Sequence, residues 1–374
     1  MAEGHHPDIR VLMITANFDP FIGGIERHVM EVAPRLARAG FAITVATTVA
    51  NSPLLDKLPR EEFKDGYQVI RVRAWPPHSD LYIAPQLWRL IGNGNWDLIH
   101  CQGAHTLVPV VSMLAARRYH IPYVITLHTG GTSSKARRLF RDMQWRALAP
   151  LLAKACGIIA VSEFEARMMA RVSRISREQI SVIPNGVDLE PLSQPKRMGP
   201  PIIVSSGRLE RYKGHQHAIE SLSILRRKYP DAELVILGEG PYKEELVRRA
   251  QKNGVQHAVT IKAIPLLDRR AMTAELHRAS VVVLLSEYES QGIAVLEALA
   301  LGTPVLVTDT SALREFGEKG MARMVPVGAT PSVIAKAIGD QIEQPIEFEA
   351  PSLMTWDDVS EEVGNLYRRV FSRG

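Results

Sequence analysis

The chain has 374 residues, of which 46% are hydrophobic and 23% are charged, and its formal net charge is +5. This length accommodates two globular domains, and the composition excludes a disordered, fibrous or disulfide-rich protein. Because no run of 18 apolar residues and no signal-peptide pattern occurs, the sequence predicts no membrane-spanning helix, and we expect a cytoplasmic protein.

Short apolar segments alternate with helical patterns through the first half of the chain. The first segment, IRVLMITA, is followed by GIERHVMEVAPRLARAG, whose apolar residues recur at helical spacing up to Gly40. Further strands are predicted at AITVAT, YQVIRVR, DLIHC, YVITLH, GIIAVS and ISVIP, with helices between most of them. Residues 191–201, PLSQPKRMGPP, contain four prolines and no periodicity, which predicts a linker.

The same alternation resumes after this linker. The predicted order is PIIVSSG, a helix over about 215–228, ELVILG, a second helix, VTIKAI, SVVVLLS, the helix IAVLEALAL and PVLVT. Repeated strand–helix units indicate parallel sheets covered on both faces. We therefore predict an α/β protein with two doubly wound domains that face each other. In such sheets, ligands bind after the strands, where the strand order reverses.

The loop after PIIVSS carries two cations. It reads GRLERYKG and contains Arg208 and Lys213. A planar guanidinium and a compact ammonium are the usual partners of a diphosphate. A plain loop with surface charges explains the same residues equally well.

Glycines and one histidine follow other predicted strands. Gly23 and Gly24 lie between a strand and an amphipathic helix, which allows a helix N-terminus to approach an anion. This pair does not form a dinucleotide-binding motif, and an ordinary turn is an equally good interpretation, as it is for Gly238–Gly240. His128 ends the segment YVITLH beside a glycine-rich loop, where it is well placed to contact a substrate.

Two carboxylates lie in the stretch YESQGIAVLEALAL. Glu289 is in the loop after VVVLLS, and Glu297 is about one turn into an apolar helix. A buried carboxylate requires a partner, so Glu297 either accepts hydrogen bonds from a sugar diol, faces water, or pairs with Arg208 or Lys213. A catalytic acid and nucleophile of a glycosidase is a less suitable interpretation of the two carboxylates, because Glu297 lies inside an apolar helix.

The positive charge is concentrated in the first half of the chain. Residues 1–190 contain 22 Lys+Arg and 17 Asp+Glu, giving +5, whereas residues 191–374 contain 23 of each. A basic cluster could contact anionic lipid or a phosphorylated acceptor, although a solvated helix face is the simpler interpretation. No nucleic-acid-binding motif accompanies the charge. The cluster consists of Lys135, Arg137, Arg138, Arg141 and Arg146.

Together these features resemble glycosyltransferase family 4, which comprises retaining nucleotide-sugar transferases of the GT-B fold. The strongest element is Glu289-x7-Glu297 followed by ALALGTP. The others, in the family's order, are GGIERH, IPNGVD, GRLERYKG and GEGP, so the resemblance covers almost the whole chain. It implies a Rossmann-like acceptor-side domain, a nucleotide-sugar-binding domain facing it across a cleft, and a terminal helix that crosses back. We predict their bounds as 1–190, 191–355 and 356–374.

The resemblance also implies roles for individual residues. Arg208 and Lys213 would hold the donor diphosphate and neutralise the leaving group. Glu297 would bind the ribose hydroxyls, Glu289 would bind the donor sugar, and His128 would face that sugar near the transfer point. Catalytic roles are assigned to His128, Arg208, Lys213 and Glu289. The other donor-binding residues would be Gly23, Gly24, Gly207, Gly238, Gly240, Ala263, Ile264, Gln291, Gly292, Ile293 and Glu297.

The chain departs from the family pattern near the first glutamate. Leu285 replaces a usual proline, and Ser290-Gln291-Gly292 replaces Gly-Phe-Gly. We expect this replacement to alter contacts with the donor sugar. No cofactor or metal is expected, since no Asp-x-Asp follows a strand and the two cations would serve the diphosphate.

The implied activity is retaining transfer of a hexosyl unit from a UDP- or GDP-sugar to a hydroxyl group. The acceptor, which could be a glycan, a lipid or a small metabolite, is left open by the sequence. Two alternatives are a nucleotide-sugar 2-epimerase of the same fold and a non-catalytic nucleotide-sugar-binding protein. A peripheral contact with the inner face of an anionic membrane would involve Lys135, Arg137, Arg138 and Arg141.

Overall fold

The computed structural model describes most of the chain as two compact units. The first unit comprises Met1–Thr129, Leu139–Pro184 and Trp356–Gly374, and the second comprises Gly130–Arg138 and Asn185–Thr355. The predicted boundary between residues 190 and 191 lies outside the described residues. The described residues are 9–21, 23–49, 58–75, 82–104, 106–130, 135–187, 199–265, 268–348 and 353–372, without the side chains of 49 and 135–142.

The first unit is built on an eight-stranded sheet. Its strands are β1 (Ile9–Thr15), β2 (Phe41–Val49), β3 (Glu61–Lys64), β4 (Tyr67–Arg73), β5 (Leu98–Gln102), β6 (Tyr123–Thr126), β7 (Gly157–Ala160) and β8 (Ile180–Val182). Their order is β3-β4-β2-β1-β5-β6-β7-β8, and all pairs are parallel except β3 with β4. The strand order therefore reverses between β1 and β5.

Helices lie between most of these strands. They are α1 (Gly24–Arg38), α2 (Pro85–Asn93), α3 (Leu107–Arg118), α4 (Lys135–Leu152), α5 (Glu163–Ser173) and the C-terminal helix α12 (Trp356–Ser372). Val29, Val32, Ala33 and Leu36 form the buried stripe of α1, as the helical spacing predicts. Helix α12 packs on α1, and Arg35 of α1 pairs with Asp357 at 2.7 Å.

The second unit contains a six-stranded parallel sheet. Its strands are β9 (Ile202–Ser206), β10 (Glu233–Leu237), β11 (Val259–Lys262), β12 (Val281–Leu284), β13 (Val305–Thr308) and β14 (Arg323–Val325), ordered β11-β10-β9-β12-β13-β14. The order reverses between β9 and β12, which pair through Val281 and Ile203. The helices are α6 (His215–Leu225), α7 (Lys243–Lys252), α8 (Arg269–His277), α9 (Ile293–Ala300), α10 (Leu313–Glu318) and α11 (Pro331–Glu343).

Separate apolar clusters cover the two faces of this second sheet. One cluster includes residues of α6, α7 and α11, and the other includes residues of α8, α9 and α10. Because both faces are covered, central strands such as β12 and β13 are buried apolar runs that the sequence pattern could predict. The prediction of an α/β fold with two doubly wound, Rossmann-like domains is confirmed.

Helix α4 contains the basic cluster for which the sequence leaves open a contact with an anionic membrane. The side chains of Lys135, Arg137, Arg138 and Arg141 lie outside the described part of the structure, and Arg146 is exposed. Across the described residues, no helix combines the length and apolar character needed to cross a lipid bilayer.

Candidate functional site

Two loops meet at the reversal point of the second sheet. The loop after β9 ends at Gly214, whose φ is +78°, and a side chain there would collide with the carbonyl oxygen of Leu285 at the end of β12. The backbone N–H of Glu287, in the loop after β12, donates to the carbonyl of Tyr212 at 2.7 Å. Glycine therefore allows the two loops to form one continuous surface at the carboxyl ends of β9 and β12.

A buried ion pair joins these loops. Lys213 Nζ lies 2.6 Å from Glu289 Oε1, and the hydroxyl of Ser286 donates to the same oxygen at 2.8 Å. The backbone N–H of Glu289 donates to Ser311 Oγ at 2.8 Å. Burial is the largest influence on Lys213 and disfavours its charged form, but the charge and hydrogen bond of Glu289, together with the influence of Tyr212, outweigh it and raise the pKa of Lys213. The pair therefore places a fixed ammonium at the strand ends.

Arg208 is the more accessible cation of this loop. About half of its side chain is exposed, with a relative accessibility of 53%. Its guanidinium lies 3.0 Å from Glu210 Oε1 and donates to the hydroxyl of Tyr212 at 3.1 Å. These two partners are on the same loop, and about half of the Arg208 side chain is exposed, so Arg208 can reach an anionic ligand while Lys213 stays in place.

His215 fixes the loop between β9 and α6. Its ring is fully buried, Nε2 donates to the carbonyl of Arg208 at 3.2 Å, and Nδ1 lies 2.8 Å from Ser205 Oγ. A carbonyl oxygen can only accept, so Nε2 carries the hydrogen and Nδ1 accepts from the serine hydroxyl. Burial lowers the pKa of His215 to about 4, and the charge of Lys213 acts in the same direction. The neutral ring thus holds the backbone of Arg208 at the site.

We expect the free energy of unfolding to fall at acidic pH, because the buried His215 resists protonation in the folded chain. A pKa of about 4 in the folded chain lies below the usual value of 6.5, so the stabilisation is complete above 6.5 and is lost as the pH falls towards 4. The shift corresponds to a loss of about 3 kcal/mol in the free energy of unfolding. Urea unfolding at several pH values measures this loss. Between pH 6.5 and pH 4, the free energy of unfolding of His215→Gln should decrease less than that of the wild type. The control His257→Gln, which changes an exposed histidine, should lose as much stability as the wild type. Equal acid sensitivity of His215→Gln and wild type would contradict this account.

Glu297 has an ionic partner that the sequence did not predict. Its neighbours Val295, Leu296, Ala298 and Leu299 are buried in the core, while its carboxylate pairs with the guanidinium of Arg269, the first residue of α8. Its ion pair in the described part of the structure is therefore with Arg269. The side chain of Glu297 is only 13% exposed, so Arg269 keeps a charged carboxylate at the edge of an apolar helix.

The remaining residues predicted to bind the donor occupy the same edge of the second sheet. The backbone N–H of Gly207 donates to the carbonyl of Leu237 at 3.0 Å, and that of Gly238 donates to the carbonyl of Lys262 at 2.9 Å. The residue after β9 is thus hydrogen-bonded to the end of β10, and the residue after β10 to the end of β11. Gly240 lies in the loop after β10. The two residues after β11 are Ala263, which is exposed, and Ile264, which packs on the cluster that includes α9.

The side chain of Gln291 has a structural contact. Its Oε1 accepts hydrogen bonds from the backbone N–H of Asn185 at 2.8 Å and from its side-chain amide at 2.6 Å. Gln291 therefore holds the Asn185–Gly186 turn. Gly292, with φ of +101°, precedes the first helical residue, Ile293, so that the N–H groups of α9 begin directly after this loop.

Three of the predicted residues belong to the first unit. Gly23 is the extended residue before α1, and Gly24 is the first, exposed residue of that helix. His128 follows β6, is buried, and has a φ of +45°. Its Nε2 donates to Gln102 Oε1 at 2.9 Å, and its ring packs edge-on against that of His28 with centroids 4.8 Å apart.

A fully buried carboxylate stabilises the loop beside His128. Glu165 accepts hydrogen bonds from the backbone N–H of Thr129 at 2.5 Å, from its hydroxyl at 2.7 Å, and from the N–H of Val161 at 2.8 Å. Burial raises the pKa of Glu165, and these hydrogen bonds offset part of the rise. The carboxylate of Glu165 thereby holds the backbone of Thr129, the residue that follows His128, in place.

The structure thus gathers the predicted residues of the second unit at one sheet edge and places the other three in the first unit. Sequence reasoning missed Arg269, His215, Gln102 and Glu165, and it assigned no individual role to Ser286. Ser286 lies just after β12 and three residues before Glu289, which is a local signal, whereas the other four carry none. Across the described ranges, no group of three or more His, Cys, Asp or Glu side chains is arranged to hold a metal ion.

Two family models together match most of the chain. Residues 22–191 match the model described as Glycosyltransferase Family 4, and residues 188–352 match that described as Glycosyl transferases group 1. The glycogen synthase of Mycobacterium tuberculosis is 27% identical over 368 residues, covering 90% of this chain and 87% of the relative. A D-inositol 3-phosphate glycosyltransferase of Nocardiopsis dassonvillei is 28% identical over 391 residues, covering 92% and 89%.

Solved structures share the fold over nearly the full length. Sucrose-phosphate synthase from Thermosynechococcus elongatus has a TM-score of 0.76 at 21% identity, covering 98% of this chain and 100% of the other. Anabaena HepE, in complex with UDP and glucose, has a TM-score of 0.75 at 18% identity, covering 96% and 99%. These similarities concern the fold, which is the two-domain GT-B fold of glycosyltransferases.

Proposed function

The chain belongs to the glycosyltransferases that these two family models describe, and from that premise we propose a specific reaction. The enzyme moves a hexosyl unit from a UDP- or GDP-sugar to a hydroxyl acceptor, with retention of the anomeric configuration. The observation that carries the proposal is the buried pair of Lys213 and Glu289, 2.6 Å apart, beside the accessible guanidinium of Arg208. The HepE complex with UDP and glucose supports this choice of donor class.

The second unit offers a group for each part of such a donor. Lys213 and Arg208 supply two cations for the diphosphate, and the N-terminus of α9 presents N–H groups to the same anion. Glu297, held by Arg269, is the group proposed for the ribose hydroxyls. Both side-chain contacts of Glu289 described above fall on Oε1, so its Oε2 can accept hydrogen bonds from hydroxyls of the donor sugar.

The reaction breaks the bond between the anomeric carbon and the diphosphate oxygen and forms a bond from the same carbon to the acceptor oxygen. Negative charge develops on the departing diphosphate, where preorganised cations stabilise the transition state most. We propose that the departing phosphate takes the acceptor's proton, so that no protein nucleophile is needed. The new bond forms on the face that the phosphate leaves, which gives retention. His128 is assigned to the donor sugar.

A donor screen without acceptor tests the proposal. Phosphorus NMR should detect slow release of the nucleoside diphosphate from one UDP- or GDP-hexose, since glycosyltransferases of this kind would transfer the sugar to water in the absence of their acceptor. Conversion of the donor to its 2-epimer would instead indicate an epimerase, and binding without turnover would indicate a non-catalytic protein. Once an acceptor is found, inverted configuration in the product would contradict the retaining mechanism.

A further inference from the structure

A line of buried polar side chains runs from His128 to the C-terminal helix of the first unit. His128 Nε2 lies 2.9 Å from Gln102 Oε1, and the amide nitrogen of Gln102 lies 3.3 Å from His100 Nε2 and 3.4 Å from His100 Nδ1. His100 continues to the hydroxyl of Thr126 at 2.9 Å and to that of Tyr367 at 2.5 Å. Gln102, His100, Thr126 and Tyr367 have no exposed surface.

The protonation states of His100 and Tyr367 determine which hydrogen bonds Gln102 makes. Burial, together with the nearby charge of His28, lowers the pKa of His100 to about 3, and burial raises the pKa of Tyr367. Both groups are therefore neutral at physiological pH, and a neutral imidazole presents one acceptor nitrogen. The amide N–H groups of Gln102 are directed at that ring, which turns the amide oxygen towards His128. Because an amide oxygen can only accept, Nε2 of His128 carries a hydrogen.

We propose that Gln102 is a positioning residue that holds His128 in its Nε2–H tautomer with a fixed ring orientation. His100 and Tyr367 in turn hold the amide of Gln102, so helix α12 supports the histidine through a chain of side chains. The inference rests on the proposed function, in which His128 contacts the donor sugar. A fixed Nε2–H tautomer leaves Nδ1 as the ring atom that can accept a hydrogen bond or a proton.

The position of Gln102 suits this role better than a purely structural one. Its side chain has no exposed surface, yet its amide oxygen is directed to a residue at the carboxyl end of the neighbouring strand. Among the described residues, His28 of α1 packs against the ring of His128, and Glu165 of α5 binds the adjacent Thr129. Neither of these groups makes the 2.9 Å contact to Nε2 that determines the tautomer.

The test compares Gln102→Met, which keeps the length of the side chain but removes the acceptor, with Gln102→Glu, which keeps an acceptor in place. Nitrogen NMR of labelled histidine reports the tautomer, and a His128→Ala spectrum identifies the resonance among the 12 histidines. Gln102→Met should give mixed tautomers and lower kcat about five- to tenfold with little change in KM, which is the range expected from one neutral hydrogen bond. Gln102→Glu should retain the Nε2–H tautomer and most of the turnover.

Control variants separate this effect from general damage to the core. Gln341 is also fully buried but lies in the second unit, where it binds Arg323 and the carbonyl of Val305, so Gln341→Met should change neither the tautomer nor kcat. If Gln102→Met does not fold, Tyr367→Phe removes only one hydroxyl from the line and should still mix the tautomers. If the wild type is active but Gln102→Met keeps the wild-type tautomer and kcat, the positioning role of Gln102 is overturned. The proposed function is unaffected by that result. If the wild type turns over no nucleotide sugar, the proposed function fails, and the tautomer of Gln102→Met still decides whether Gln102 positions His128.

Discussion

Lys213→Ala should reduce turnover of the nucleotide sugar by about a hundredfold to a thousandfold, which is the typical effect of removing one preorganised charge-stabilising group. Lys213 is held at 2.6 Å from Glu289, so its ammonium is in place before the diphosphate begins to leave. Arg208 alone is half exposed and would compensate only in part. Steady-state release of the nucleoside diphosphate measures the effect.

Two companion variants make the Lys213 experiment decisive. Truncating Lys213 also leaves Glu289 as a largely buried carboxylate without its ion-pair partner, which typically costs about 3–5 kcal/mol of stability. The double variant Lys213→Ala/Glu289→Gln should recover much of that stability without recovering turnover. Lys228 is exposed and pairs with Glu343 on the surface, so Lys228→Ala should behave like the wild type in both assays. Near-normal turnover in a folded Lys213→Ala protein would exclude the proposed role.

Glu297→Ala should weaken binding of the nucleoside diphosphate by about tenfold to a hundredfold, because a hydrogen bond to a charged group is worth about 1.5–3 kcal/mol. The effect should appear mainly in KM for the donor, since the ribose contacts are similar in the ground state and the transition state. Isothermal titration calorimetry of the folded variant measures the loss.

A ligand lacking one ribose hydroxyl identifies the contact. Wild-type protein should bind the 2′-deoxy nucleoside diphosphate several-fold more weakly than the parent nucleotide, and Glu297→Ala should lose most of that preference. Arg269→Met keeps the carboxylate but removes its partner, so it should show an intermediate loss of affinity while retaining part of the preference. If Glu297→Ala kept the full preference for the 2′-hydroxyl, another residue would have to bind the ribose.

The sheets were predictable because their central strands are buried on both faces. Runs such as VVVL at Val281–Leu284 must be apolar throughout, and turn or helix signals separate them. Two edge strands escaped prediction for the opposite reason. Glu61–Lys64 reads EEFK and Arg323–Val325 reads RMV, and both obtain their extended shape from pairing with a neighbour, which no local pattern reveals.

The sheet edge on which the candidate residues of the second unit lie was predictable, but the side-chain partners of those residues were not. Arg208, Lys213 and Glu289 lie in loops that follow strands, and Glu297 lies within α9. The resemblance to a known family assigned roles to all four. The partner of Glu297 could not be predicted, since Arg269 is 28 residues away on another helix. Gln291 shows the same limit. Its side chain accepts hydrogen bonds from Asn185, 106 residues earlier in the chain, and no local pattern predicts that contact.

The most direct test of the central claim is an experimental structure of the protein with the nucleoside diphosphate of its donor. The account predicts that the diphosphate contacts Lys213 and Arg208 beside the N-terminus of α9, and that Glu297 accepts hydrogen bonds from the ribose. A nucleotide bound with its diphosphate away from Lys213, or with its ribose away from Glu297, would contradict the account.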